Sequence, residues 1–192
     1  MTEMKYVFSD EIKLLGDVTV RRIKALRDFG DIKEGTLGGW VAGTRNLSEQ
    51  GNCWVGDEAC VFGAARVSGD ARVYGNARVY QSALVHGEAR VFGDARVDGF
   101  AEVYGQAQIY DQARVYVRAE VYGRAHVYGD AEIYERARVY EEARVEDSLV
   151  YGAARVYGHA YVEDSSRVYG DAEIYDSYYA DGLSGHRIFE AL

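Results

Sequence analysis

The chain has 192 residues and a formal net charge of −9, and 48% of it is hydrophobic, enough for a core and too much for wholesale disorder. Residues 1–51 carry 8 basic and 8 acidic side chains out of totals of 22 and 31, so the remainder carries 14 and 23 and holds the whole acidic excess. Such a body argues against duplex nucleic acid as a partner, because that binding needs many phosphate contacts.

Residues 1–51 read as a β cap segment. Met4–Phe8 and Val18–Arg27 have strand character, and the run Leu37-Gly38-Gly39-Trp40 reads as a flexible turn that delivers an indole. Trp40 or Trp54 is expected to cover the first coil of the repeat array. Cys53 and Cys60 are too few for a disulfide framework. No cationic-then-apolar leader opens the sequence and no run of about 18 apolar residues occurs. The expectation is a soluble, cytoplasmic protein with no membrane partner.

From residue 52 to 176 one hexad repeats. An aliphatic residue recurs every sixth position from Val55 to Val145, then from Val150 to Ile174, and a small residue, nearly always alanine, stands two places before each. In Ala-x-Val the alanine and valine share one side of a short strand and x faces the other. The Tyr-Gly-Asp that commonly comes next supplies a corner, since glycine tolerates positive φ and Asp or Asn ranks after it. A period of six with glycine in most units does not fit a helix. Three hexads close an 18-residue coil, so the fold class is all-β: a triangular parallel β-helix of about seven coils and roughly 34 Å. The step from Val145 to Val150 is only five, and a tightened corner near Glu146 and Asp147 with an intact valine stack is expected. Beyond Ile174 the pattern fails, with Tyr178 in the alanine slot and Ala180 in the valine slot. Residues 177–192 then form a C-terminal cap or an oligomerisation tail.

The hexad resembles the repeat of the left-handed β-helix hexapeptide proteins. The left hand is implied by that resemblance, because ordinary crossovers are right-handed. Leu26 to Gly63, which includes "LGGWVAGTRNLSEQGNCWVGDEACVFG", resembles the opening of the YdcK-like hexapeptide proteins of bacteria and their phages. Some of those carry an acyltransferase label, which rests on fold alone.

Outward positions 18 apart should stack. One ladder reads Ser68, His86, Tyr104, Tyr122, Tyr140, Tyr157, Tyr175; a second reads Phe62, Tyr80, Asp98, Tyr116, Tyr134, Tyr151, Tyr169; a third reads Tyr74, Phe92, Tyr110, Tyr128, Glu146, Glu163. In-register aromatics pack along such a ladder, and tyrosine also suits a recognition surface. Arg78, Arg96 and Arg114 form a candidate anion-binding strip. Hexapeptide acyltransferases use a histidine base between subunits of a trimer, which makes His86 the one catalytic candidate, although no insertion interrupts residues 52–176. The paired-histidine spacing of the γ-type carbonic anhydrases is absent, His126 and His159 occupy different slots, and the cysteines point to opposite sides, so no metal site is expected. The leading expectation is a non-catalytic, self-associating scaffold or binding module, dimeric or trimeric, of phage type, with no cofactor and a protein or small anionic ligand as partner. Alternatives are an acyl-CoA-dependent acyltransferase, which would bring coenzyme A, and sequestration of a small anion.

Overall fold

The computed structural model describes residues 4–176 fully, and beyond them the strand backbone of 178–179, 183–184 and 187–189. Short strands pair in parallel with the strands one coil away and form three sheets, the faces of a stacked-coil β-solenoid of about eight turns. Face I runs through Trp54, Arg72, Arg90, Gln108, His126, Arg144 and Tyr161; face II through Cys60, Arg78, Arg96, Arg114, Glu132, Leu149 and Arg167; face III through Arg66, Leu84, Glu102, Glu120, Arg138, Arg155 and Glu173. Backbone N–H groups donate to the next coil: Arg78 to the Ala95 carbonyl at 2.9 Å, Tyr80 to Val97 at 3.0 Å and Ser82 to Gly99 at 2.8 Å.

The bore explains the hexad. Its alanines and valines are essentially without solvent contact from Val55 to Ile174, and β-branched side chains suit a pleated wall. Where serine replaces alanine, the hydroxyl finds a partner: Ser166 Oγ donates to the Glu163 carbonyl at 2.5 Å, and Ser148 Oγ accepts the Ser166 N–H at 3.1 Å.

The shortened corner falls where expected, and Val150 still pairs with Ile133. Asp147, at φ 47°, fills in for the missing residue: its Oδ1 accepts the Asp130 N–H at 2.7 Å. The same device recurs at Asp176, also at φ 47°, whose Oδ1 accepts the His159 N–H at 2.6 Å. Aspartate tolerates this left-handed region and brings its own acceptor. Both are followed by serine at a five-residue step, whereas Asp164-Ser165 lies in a six-residue one, from Val162 to Val168. The second step corrects the expected end of the array. Tyr179, not Ala180, pairs opposite Val162, and the tail strands Leu183–Ser184 and Arg187–Phe189 continue faces II and III. An eighth coil is therefore added to the seven expected, while Ala180 and His186 lie outside the described residues.

At the N-terminal end, strand β1 (Tyr6–Leu15) and strand β2 (Val18–Ala25) form an antiparallel hairpin, and β3 (Leu37–Val41) joins it to face II. β1 runs further than Met4–Phe8, because Gly16 and Asp17 make a two-residue turn between Leu15 and Val18. Lys5 closes the bore. It is fully buried, its ammonium donates to the Cys53 carbonyl at 3.0 Å and meets Cys53 Sγ at 3.3 Å, and it lies 5.2 Å from the Phe29 ring centroid. The buried Asn46 amide donates to the carbonyls of Gly63 and Ala65 at 3.1 and 2.7 Å, as a further coil would. Trp54 packs in the main core with its ring edge to Phe29, whereas Trp40 lies outside the bore with Val20 and Cys60.

Gly38 and Gly39 are not a flexible turn; they lie inside β3. A Cβ on Gly39 would stand 2.6 Å from the Ala59 carbonyl oxygen, and one on Gly38 2.6 Å from the Val55 carbonyl oxygen. Gly39→Ala is expected to cost about 1–3 kcal/mol in a urea unfolding series, as overpacking does. Asp147→Ala is expected to lose about 1–2 kcal/mol, from a lost acceptor and a strained φ, and Asp147→Asn to keep most of it. Equal midpoints for the two Asp147 variants would contradict the acceptor role.

Candidate functional site

The outward slots form the ladders that the repeat implies. His86, Tyr104, Tyr122, Tyr140, Tyr157 and Tyr175 follow one another at the corner from face III to face I, with ring centroids 4.8 to 5.1 Å apart. Burial holds the phenols of Tyr104, Tyr122 and Tyr140 above their ordinary value of 10.0, so they present neutral rings. The ladder at the corner from face II to face III is broken at Asp98, which is 8% exposed and accepts the Tyr80 hydroxyl at 2.8 Å.

His86 is the first ring of its ladder, one coil after Ser68. Its ring stacks parallel on Tyr104, and its Nε2 lies 2.8 Å from Glu102 Oε1 on the next coil of face III. With Glu102 accepting the Nε2 hydrogen, Nδ1 keeps the lone pair. His86 also lines a groove of about 570 Å³ with Arg45, Ser48, Arg66, Ser68 and Leu84. Arg45 comes from the short helical turn Thr44–Asn46 that leads into the first coil, and neither arginine forms an ion pair among the described residues. A histidine held by a carboxylate, beside two open guanidiniums and two hydroxyls, can accept a proton near a bound anion. Sequence pattern alone does not find Arg45, because only the fold of the cap brings it to His86.

Arg78, Arg96 and Arg114 stand in register on face II. They do not behave alike. Arg114 lies 3.7 Å from Asp98 and 3.9 Å from Glu132, and its guanidinium covers the Tyr116 ring at 4.9 Å. Arg78 and Arg96 line a cleft of about 320 Å³ with Lys13, Glu58 and Asp94. On face III the stacked like charges are relieved by cross-pairs, Arg138 to Glu120 at 3.4 Å and Arg155 to Glu173 at 3.3 Å. His126 and His159 sit in neighbouring ladders and meet in one groove with Arg124, Glu142, Arg144 and Tyr161. Burial and Arg144 push the His126 imidazole below its ordinary value. Among the described residues no group of three or more His, Cys, Asp or Glu is placed to hold a metal ion. No helix among them is long and apolar enough to cross a membrane.

Two likenesses to known proteins bear on this geometry. The family described as YdcK Beta solenoid repeat matches residues 71–87, a stretch that includes His86. Over that stretch the chain resembles the YdcK solenoids. An "Uncharacterized acetyltransferase YdcK" of Escherichia coli (strain K12) is 43% identical over 53 residues, 27% of this chain. The match spans only 16% of that protein's length.

The cap is tied to the rod by Glu58, which accepts from Trp40 Nε1 at 2.9 Å, Arg22 at 3.0 Å and Lys13 at 3.3 Å. The Trp40 bond above all, with Arg22 and Lys13, holds this carboxyl below its ordinary 4.5. A depressed folded value adds stability above the unfolded value, and that stability is lost as pH falls through the folded one. Glu58→Gln is expected to unfold at lower urea than wild type at pH 7 and to converge with it in acid, once pH has fallen through the folded value. A gap of constant size at pH 7 and in acid would contradict the ionic role.

Proposed function

We propose that the chain is an acyl-CoA-dependent acyltransferase of the hexapeptide-repeat class, built on a left-handed solenoid, with the His86 groove as its site. The observation that carries this reading is the 2.8 Å bond from His86 Nε2 to Glu102 at the mouth of a groove lined by Arg45 and Arg66. The name of the Escherichia coli relative supports it over the matched segment. In this reading His86 Nδ1 takes the proton from the acceptor hydroxyl or amine as its bond to the acyl carbon forms and the C–S bond breaks. His86 then returns that proton to the departing thiolate. Arg45 and Arg66 hold the phosphates of coenzyme A, and Glu102 fixes the imidazole. The working division is a cap over residues 1–51 and a rod from residue 52 onward whose last coil draws on the tail 177–192, in a cytoplasmic homo-oligomer.

A second reading is favoured by the unbroken coils: a non-catalytic scaffold or binding module that self-associates through its tyrosine ladders. The discriminating experiment is coenzyme A titration by calorimetry with a thiol-release assay on acetyl-CoA. The acyltransferase reading expects saturable binding, at least tenfold weaker binding in Arg45→Glu/Arg66→Glu, and loss of thiol release in His86→Ala with binding retained. Absence of binding at millimolar coenzyme A would leave the scaffold reading. Light scattering that then returned a monomer would remove self-association as well.

A further inference from the structure

In a repeat array each rung has many equivalents, so a departure from the template that costs stability calls for a reason. Three such departures meet at the corner from face II to face III. Asp98 occupies a tyrosine slot, and Phe100 occupies a slot filled on neighbouring coils by Ser82 and Arg118. Val117 occupies the glycine slot at φ 64°. The other non-glycine residues at positive φ among the described residues are Asp, Gln, Glu or Ser. A β-branched side chain in that region is a true outlier, and backbone strain of this kind concentrates at functional positions.

The three lie together. Phe100 donates its N–H to the Val117 carbonyl at 2.6 Å, and the two side chains are exposed by 68% and 45% as residues. They form a step above Gly152 and Ala153, and the groove between holds about 650 Å³, with a mainly apolar lining. Arg118 and Arg136 line the same groove, one coil apart, and neither forms an ion pair among the described residues. Asp98 and Glu135 line the groove as well, but Asp98 lies 3.7 Å from Arg114 and accepts the Tyr80 hydroxyl, so Arg118 and Arg136 remain the cations free to meet a ligand.

We propose that this corner binds a small organic anion with an apolar body. The body lies against Phe100 and Val117, and the carboxylate or sulfonate head takes Arg118 and Arg136. A groove of this volume suits a drug-sized molecule, and paired guanidiniums suit an anionic head. The site lies on a different corner from His86 and is independent of acyl transfer.

The test is calorimetry with decanoate, with butyrate as the short control, on wild type, Phe100→Ser, Arg118→Glu/Arg136→Glu and Val117→Gly. Circular dichroism confirms that each variant folds. Wild type is expected to bind decanoate saturably and at least tenfold more tightly than butyrate. Phe100→Ser and the double arginine variant should each weaken decanoate at least tenfold. Val117→Gly should raise the thermal midpoint, by releasing strain, while weakening decanoate. The proposal is overturned if wild type does not bind decanoate, if Phe100→Ser binds it equally well, or if Val117→Gly lowers the midpoint. It is also overturned if Phe100→Ser changes the solution mass by light scattering, for the patch would then be an interface between copies.

Discussion

The hydrogen-bonded ladder between successive coils, closed over a bore of interlocked alanine and valine, is the constraint on which everything else depends. On every face the N–H groups of the outward residue and of the residue after valine are bonded one coil away, as at Arg78 and Tyr80, so coil spacing is fixed near the parallel-strand value of about 4.8 Å. The bore leaves no choice inside, because the Ala and Val of each rung are buried without exception from Val55 to Val145. The outside is thereby released from the work of folding. A residue on the surface of this rod stacks on its equivalent 17 or 18 positions away whatever its chemistry.

That separation explains which parts of the structure were legible in the sequence. Core and corners follow from the hexad alone, and so does the shortened corner at Asp147, because a solenoid loses a residue more cheaply from a turn than from its bore. The cap was not legible to the same depth. Gly38 and Gly39 read as a flexible turn, and their real role is to let β3 approach the carbonyls of Val55 and Ala59, a contact that exists only after folding. Nor does local pattern reveal that Lys5 is an end plug or that Asn46 imitates a coil, since both act across more than 15 residues. The second short step, at Asp176, was not legible from its Asp-Ser pair, since Asp164-Ser165 stands in a full hexad; it sets the register of the final coil at Tyr179.

The candidate site was legible only in part. His86 stands out in sequence because it replaces an aromatic in a ladder, and the fold gives it Glu102. Arg45 joins it only through the cap. His126 and His159 occupy different slots as the spacing says, but neighbouring ladders touch, so a slot assignment does not exclude contact. Arg114, one of three equivalent arginines by spacing, is drawn to Asp98 because an acid stands where the ladder would place a ring. In each case the exception on a neighbouring rung decided what the regular residue does.

The central claim is therefore that chemistry in this molecule resides where the outer template is broken. The most direct measurement restores the template in one variant, His86→Tyr with Asp98→Tyr, Phe100→Asn and Val117→Gly. Its thermal midpoint and its retention of small molecules are then compared with wild type by scanning calorimetry and native mass spectrometry. The account expects a variant at least as stable as wild type that binds neither coenzyme A nor decanoate. A less stable rod that still binds both would contradict it.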